Sequence, residues 1–257
     1  MKNKIILLFA FVVISLSSVF AADDYSSKGL QWSYLRGLEY RLRAGVNIGG
    51  TSPLPLPEEI RQINNYDPTL QISLEADVVK WFDKWGLMLG LKLENKGMKT
   101  DALVKNYGMV ITDGGTTMSG NWTGNVVTQV DNSYLTIPVT AIYKLSRRWE
   151  VSIGAFVSYQ IKGSFHGYVY DGYLRNGDPT GDKVIFSDGA QAPYDFSKDL
   201  QSFQCGPQVG AQWKAFKHLN ITADLTWGMV PIFNSDFETI KFGMYPIYAN
   251  LGFAYIF

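Results

Sequence analysis

The sequence is poor in the residues from which metal, redox and covalent sites are usually built. It has one cysteine, Cys205, and therefore cannot form a disulfide within the chain. Its two histidines, His166 and His218, are too few for a histidine metal cluster, and it has no phosphate-binding loop, Cys-x-x-Cys or His-Glu-x-x-His motif. We therefore expect no metal site, no cofactor and no enzymatic activity.

Long apolar runs are also missing, except near the start of the chain. Lys2 and Lys4 precede the apolar run Ile5–Ile14, and Val19-Phe20-Ala21 ends on the small residue of a cleavage site. The run is shorter than the roughly 20 residues that a spanning helix needs, which favours a cleaved signal peptide over a membrane anchor. Because no cysteine follows the cleavage site, we expect no lipid anchor on the mature chain.

Neither sign of charge predominates. The full sequence has 23 basic and 23 acidic residues, so removal of the two lysines in residues 1–21 leaves 21 basic and 23 acidic residues and a formal charge of −2. Such a balance gives no basic surface for phosphates, and we expect no nucleic acid as a partner. An exported chain without disulfides must draw stability from another source, such as a closed hydrogen-bonded barrel.

Apolar residues alternate with polar or small ones, at a period of two, through much of the chain. The clearest case is Trp149–Lys162, in which every second residue from Trp149 to Ile161 is aliphatic or aromatic. This period predicts strands and not helices. The eight predicted strands are 40–48, 70–81, 87–94, 133–145, 149–162, 199–213, 219–227 and 245–257.

The connections between these strands alternate in length. Three are long, and they comprise residues 52–69, 97–132 and 163–198. Within them we expect a single helical turn at Glu58–Ile63 and a hairpin built from Tyr168–Tyr170 and Val184–Phe186. Because outer-membrane barrels have short periplasmic turns and longer outer loops, the alternation predicts an up-and-down barrel with both termini on the periplasmic side.

The two faces of the strands differ in the way that a membrane barrel requires. One face is almost free of charge, whereas the opposite face collects charged residues; a soluble barrel would have the reverse arrangement. Aromatic residues gather beside the short turns, where an interfacial girdle is expected. They are Trp81, Phe82, Trp85, Tyr143, Trp149, Trp213 and Phe216.

The charged faces predict a network of side chains in the lumen. The interior of an eight-stranded barrel is only just wide enough for side chains, and a buried charge without a partner is strongly unfavourable. We therefore expect ion pairs that plug the lumen; the alternative is a narrow, porin-like path for small solutes. The predicted network comprises Arg41, Arg43, Glu75, Asp77, Lys92, Glu94, Glu150 and Asp224.

The chain ends on a strand without a polar tail. Asn250, Gly252, Tyr255 and Phe257 have the spacing polar-x-Gly-x-x-aromatic-x-aromatic, which resembles the terminal assembly signal of bacterial outer-membrane barrels. The resemblance implies the outer-membrane barrel-assembly machinery as a partner. The alternative is the last strand of a soluble sandwich, for which an exposed apolar edge would be an aggregation hazard.

Several stretches resemble the PorT-type family of outer-membrane β-barrels, which has an eight-stranded, OmpA/opacity-like architecture. They are Arg43–Gly50, Tyr134–Val139 with Tyr143–Leu145, and Val151–Val157, together with the C-terminal signal. The resemblance implies a barrel over nearly the whole mature chain. Some relatives are linked to a secretion system, but no motif in this sequence is specific enough to transfer that link.

Ser164 and His166 leave one enzymatic alternative open. Some outer-membrane barrels are lipid hydrolases that use Ser and His at the membrane rim, with a polar or acidic group that orients the base. Asp171 has a suitable spacing for that group. Because Ser-x-His in a polar loop is common by chance, we prefer a role in binding through the long outer loops.

The sequence therefore predicts an all-β, transmembrane, eight-stranded up-and-down antiparallel barrel, integral to the outer membrane of a Gram-negative bacterium. Its expected role is structural or interaction-based. The expected partners are membrane lipid, the assembly machinery and an unknown partner of the outer loops. The predicted divisions are a signal peptide at 1–21, a periplasmic lead-in at 22–38 and the barrel at 39–257.

Deletion of Phe257 tests the assembly signal. We expect it to impair insertion more than any single change in the outer loops, because the terminal aromatic residue belongs to the signal. The amount of heat-modifiable barrel in isolated membranes measures insertion. Normal insertion of the deleted chain would contradict the signal, and soluble expression of residues 22–257 without heat-modifiable migration would contradict the barrel.

Overall fold

One antiparallel sheet contains the eleven strands found in the described residues. The computed structural model describes residues 37–113, 115–177, 180–240 and 242–257; the predicted signal peptide and nearly all of the predicted lead-in lie outside them. Within these ranges, no helix is long and apolar enough to cross a membrane. The strands are β1 Leu38–Pro53, β2 Ile60–Asp67, β3 Gln71–Phe82, β4 Trp85–Asp113, β5 Thr116–Lys144, β6 Trp149–Lys162, β7 Phe165–Asn176, β8 Lys183–Asp195, β9 Phe203–Lys214, β10 Leu219–Trp227 and β11 Met244–Ile256.

Eight of these strands close into a ring in the order β1-β3-β4-β5-β6-β9-β10-β11. Closure comes from β1 and β11, which pair with Arg41 opposite Ile256, and the Phe257 amide donates a hydrogen bond to the Tyr40 carbonyl (3.1 Å). β1 continues beyond the predicted end at residue 48 because β11 still pairs with it. Each strand of the ring pairs with the next ring strand along the chain, because the strands between them in sequence, β2, β7 and β8, lie outside the ring. This order confirms the predicted eight-stranded up-and-down barrel.

The period-two pattern gives the ring an apolar exterior and a polar interior, since successive side chains of a strand point to opposite faces. On β6, Ile153 is exposed and Ser152 is buried; on β11, Phe253 is exposed and Asn250 is buried. Exposed Leu, Ile, Val and aromatic side chains form a belt around the ring. In water such a surface would drive association, so the belt is suited to lipid.

Aromatic side chains lie at the end of the ring that carries the short turns. The rings of Trp85 and Tyr143, beside two neighbouring turns, have centroids 4.5 Å apart. The ammonium group of Lys144 lies 3.7 Å from the ring centroid of Trp81. Amphipathic contacts of this kind suit the headgroup layer at the edge of the belt.

β4 and β5 continue far beyond the ring. Each has 29 residues, whereas a membrane-spanning strand needs only about 9–11. The long connection predicted at 97–132 is therefore wrong, because its residues form the outer halves of these strands, which meet at Asp113 opposite Thr116. Glycine and asparagine in this stretch obscure an alternation whose inward members include Met98 and Trp122.

Three further strands flank these outer halves and complete a five-stranded sheet in the order β2-β4-β5-β7-β8. The helical turn predicted at Glu58–Ile63 is wrong, since most of that stretch belongs to β2, which pairs with β4 through two register shifts. The hairpin predicted from Tyr168–Tyr170 and Val184–Phe186 is present as β7 and β8, on the flank of β5. We use the name outer sheet for β2, β7 and β8 together with residues 98–113 of β4 and 116–130 of β5.

The outer sheet has a hydrophobic core of its own. Trp122, Ile111 and Leu174 are fully buried there, and the ring of Trp122 packs edge-on against Phe186 with centroids 5.6 Å apart. The segment between β10 and β11 covers this core with Ile232, Phe233 and Ile240. The region outside the ring is thus a folded layer and not a set of polar loops.

Replacement of Trp122 by alanine tests this core. We expect the outer sheet to lose roughly 3–5 kcal/mol of stability, because a fully buried tryptophan leaves a large cavity. Protease treatment of intact cells should then cleave the outer sheet, while the ring keeps its heat-modifiable migration. The matched control is Ile185→Ala on β8, where the side chain is exposed; equal protease sensitivity of the two variants would contradict the core.

Candidate functional site

Arg43 is the centre of the predicted charge network. Its guanidinium, 3% exposed, reaches the carboxylates of Glu75 at 3.2 Å and Asp77 at 3.8 Å, and it makes a short ion pair with Asp224. These residues come from β1, β3 and β10, and the inward faces of those strands bring them together across the lumen. One cation therefore links three carboxylates.

A second group of charges lies on β4. Lys92 and Lys96 contact opposite oxygens of Glu94, at 3.0 and 2.9 Å, and the Thr136 hydroxyl donates to Glu94 at 2.8 Å. Lys96 was not predicted, although it continues the inward positions of Lys92 and Glu94. Its ammonium group lies 5.1–5.8 Å from the centroids of three rings, which belong to Tyr134, Phe156 and Tyr248.

Arg41 lies at the end of the lumen that carries the short turns. It contacts Glu39 at 2.6 Å and Glu150 at 2.9 Å, and it donates a hydrogen bond to the Gln212 side chain (2.8 Å). Glu39 was missed, although it lies two residues before Arg41 and therefore on the same face. All eight predicted residues thus face the interior, and each of the buried cations Arg41, Arg43, Lys92 and Lys96 contacts at least one carboxylate.

The predicted C-terminal signal divides between the two surfaces of the ring. Asn250 lies inside, where its amide donates to Asn47 and to Ser73, both at 2.7 Å. A Cβ at Gly252 would clash with the Ala44 carbonyl, so this close pairing with β1 requires glycine. On the outside, the rings of Tyr255 and Phe257 pack edge-to-face with centroids 5.0 Å apart.

Ser164 and His166 contact each other without the predicted acidic partner. The Ser164 hydroxyl and the Nδ1 of His166 are 2.9 Å apart. Asp171 lies five residues further along β7, at a register shift and roughly 16 Å away at the rise of a strand. The cross-strand neighbour of His166 is instead Asp195, whose carboxyl has its pKa lowered mainly by a hydrogen bond from Ser197.

The solvent-facing surface of the outer sheet carries a polar network that crosses four strands. The Asn64 amide donates to Asp101 at 3.3 Å and to Asn125 at 3.1 Å, and the Tyr170 hydroxyl donates to Asp101 at 2.7 Å. The last bond raises the pKa of Tyr170 to about 12. The ring of Tyr168 lies beside that of Tyr170, with centroids 6.0 Å apart.

The same surface continues on β7 and β8 with a cationic and aromatic group. The ammonium of Lys183 lies 4.5 Å from the ring centroid of Tyr173, and the guanidinium of Arg175 lies 5.8 Å from it. We call Asn64, Asp101, Asn125, Tyr168, Tyr170, Tyr173 and Lys183 the contact face. Tyrosine, amide and cationic groups on a rigid sheet can bind a partner at low cost in conformational entropy.

A family model described as the outer membrane protein beta-barrel domain matches residues 21–234. The match covers β1 to β10, with every predicted lumen residue, and ends before β11. Among curated proteins, none matches the chain.

Several solved structures show a distant likeness. Ail, the attachment invasion locus protein of Yersinia pestis, in complex with the heparin analogue sucrose octasulfate, is 10% identical over 86% of this chain and 97% of that one, with a TM-score of 0.36. Neisserial surface protein A is 7% identical over 85% and 96%, with a TM-score of 0.30. The translocator domain of the autotransporter NalP from Neisseria meningitidis is 10% identical over 98% and 97%, with a TM-score of 0.22.

Replacement of Arg43 by glutamine tests the lumen network. We expect the free energy of unfolding to fall by roughly 3–5 kcal/mol, because three buried carboxylates lose their shared cation. Denaturant titration of the refolded chain in lipid vesicles measures the change. Asp224→Asn added to Arg43→Gln should recover part of the loss, and Arg148→Gln in an exposed turn should change little; an Arg43→Gln variant as stable as the unchanged chain would contradict the network.

Proposed function

The chain belongs to the family of outer membrane protein β-barrel domains, and from this membership we propose that it is a plugged barrel that holds a folded binding surface outside the outer membrane. The ring is the anchor, the lumen charges are structural, and the contact face of the outer sheet binds the partner.

The ion pairs of the lumen support the plug. Arg41, Arg43 and Glu94 each bind oppositely charged side chains from the interior, in a ring whose width suits side chains alone. A solute would have to displace these contacts and leave buried charges unpaired, which is strongly unfavourable. The lumen is therefore assigned to stability and not to transport.

The outer sheet carries the proposal for binding. Membrane anchorage requires only the ring, yet the chain also folds a second layer around Trp122 and its neighbours. Rigid strands hold the contact face in one geometry, which lowers the entropic cost of binding. The partner is a macromolecule at the cell surface, recognised by the tyrosine, amide and lysine groups of that face.

Three narrower assignments are part of the proposal. The stretches Arg43–Gly50 and Val151–Val157 support a PorT-type subgroup, but no motif in them is specific enough to transfer the secretion link of some relatives. The spacing of Asn250, Gly252, Tyr255 and Phe257 supports recognition by the assembly machinery after cleavage of a signal peptide at residue 21. The chain is proposed to act without enzymatic chemistry, since Ser164 and His166, which lie two residues apart, contact each other but Asp171 does not join them.

Conductance measurements test the plug. The full mature chain, reconstituted in a planar bilayer, should give no stable openings, because the paired charges fill the lumen. Stepwise openings of constant size would contradict the plug and favour the narrow solute channel. Heat-modifiable migration of the same preparation establishes that the inserted protein is folded.

Site-specific photo-crosslinking in intact cells tests the contact face. A photoreactive amino acid in place of Tyr168 should yield a discrete adduct with a macromolecule other than phospholipid, because this position lies on the proposed binding surface. The matched control is the same amino acid in place of Tyr159, which is exposed on the apolar belt and should yield lipid adducts. Lipid adducts alone at both positions, or none at 168, would contradict the proposal.

A further inference from the structure

At the outer end of the ring, β1 pairs with a neighbouring strand on one side only. β1 pairs with β3 only as far as Asn47 opposite Gln71, whereas it continues beyond this point with β11. The strand next to the free edge of β1 is β2, and in the described part of the chain these two strands share no backbone ladder. A side chain bridges them instead, since the Tyr66 hydroxyl donates to the Gly49 carbonyl (2.7 Å). We call the gap between residues 48–53 of β1 and β2 the seam.

A cavity of about 310 Å³ lies behind the seam. The nineteen described residues that line it are all uncharged, and most are apolar, in contrast to the ion pairs of the lumen. Its volume is at the lower end of the roughly 300–1,000 Å³ that small-molecule sites occupy. Its apolar walls include Ile60, Ile63, Met98, Val104, Phe165 and Met244.

Exposed apolar side chains lie both beside the lipid-facing belt and among the residues that line this cavity. Leu70, at the level where the seam begins, is 82% exposed; Leu56 and Ile63, which line the cavity mouth, are 61% and 57% exposed. A hydrophobic molecule that leaves the belt would meet these apolar side chains on its approach to the cavity, although β2 also exposes the polar residues Asn64, Asn65 and Asp67. Exposed apolar surface of this kind marks a site of lipid or ligand contact.

The cavity ends where the polar lumen begins. Met98 lines it, and the next inward residue of β4 towards the periplasm is Lys96, which contacts Glu94 and three aromatic rings. The Lys96–Glu94 ion pair and the aromatic side chains around it would stop an apolar molecule at this depth. The arrangement suits retention of a ligand and not passage through the ring.

We propose that this cavity binds one apolar hydrocarbon chain, such as the acyl chain of a lipid or fatty acid, which enters sideways through the seam. The proposal rests on the membrane location of the barrel and is independent of the contact face. Thr51, Thr100 and Thr128 are among the residues with polar atoms that would orient the chain or its end group.

Photo-labelling with acyl chains tests the site. The full mature chain in lipid nanodiscs is exposed in one arm to a diazirine-labelled free fatty acid, and in a second arm to a phospholipid with the diazirine on its acyl chain. Peptide mapping should place adducts on cavity residues such as Ile63 and Met98, and excess unlabelled fatty acid or lipid should reduce them. Adducts in one arm alone support the site and identify its source; adducts on the outward belt alone overturn it.

Variants of one strand supply the matched control. Ala102→Phe fills the cavity and should lower labelling of cavity residues by about tenfold or more, because a packed cavity has no room for both groups. Leu103→Phe adds bulk at the neighbouring position, whose side chain points to the opposite face, and should leave labelling unchanged. Thr100→Phe is a second filling variant. Heat-modifiable migration selects variants that fold, and undiminished labelling of a folded filling variant overturns the proposal.

Discussion

Every backbone amide and carbonyl inside a bilayer must find its hydrogen-bond partner within the protein, and the eight-stranded ring is arranged to meet this constraint. The two strands that close the ring lie near opposite ends of the described chain, and the bond from Asn250 to Asn47 joins residues 203 apart in sequence. Closure removes the sheet edges in the ring, but it also encloses a space about as wide as the side chains themselves. The inward charges must therefore satisfy one another, and Arg43 with its carboxylates is the direct result.

β4 carries opposite patterns on the two sides of one point along its length. In the ring, β4 directs Lys92 and Glu94 inward and leucines outward. In the outer sheet, it directs Met98 and Val104 inward and mostly polar residues outward. The change occurs between Lys96 and Met98. Three aromatic rings around Lys96 suit this boundary, because a ring face accepts a cation on one side and apolar contacts on the other.

The ring could be predicted because lipid imposes one rule on every strand. Alternation alone puts Ile153 outside and Arg43 on the same side of the sheet as Glu75. Continued by two residues along β1 and β4, the same alternation also predicts that Glu39 and Lys96 face the lumen. The outer sheet folds under a different rule, in water and around its own core. In β2 two register shifts break the period, so that Ile60 and Ile63 imitate helical spacing. No local pattern places Asp195 opposite His166, because that neighbourhood depends on the pairing of β7 with β8.

β4 and β5 run through both layers, with one register shift near Asn106, and this continuity has a mechanical consequence. A partner that pulls on the tip near Thr116 would load the two strands along their length, without a hinge between surface and anchor. Hydrogen bonds between antiparallel strands are perpendicular to the strands and therefore to this force. The bonds that hold the two strands to their neighbours would share the force and would not break one after another. The hairpin of β4 and β5 can therefore resist a pulling force along its length. Tension applied at its tip would pass directly into the ring.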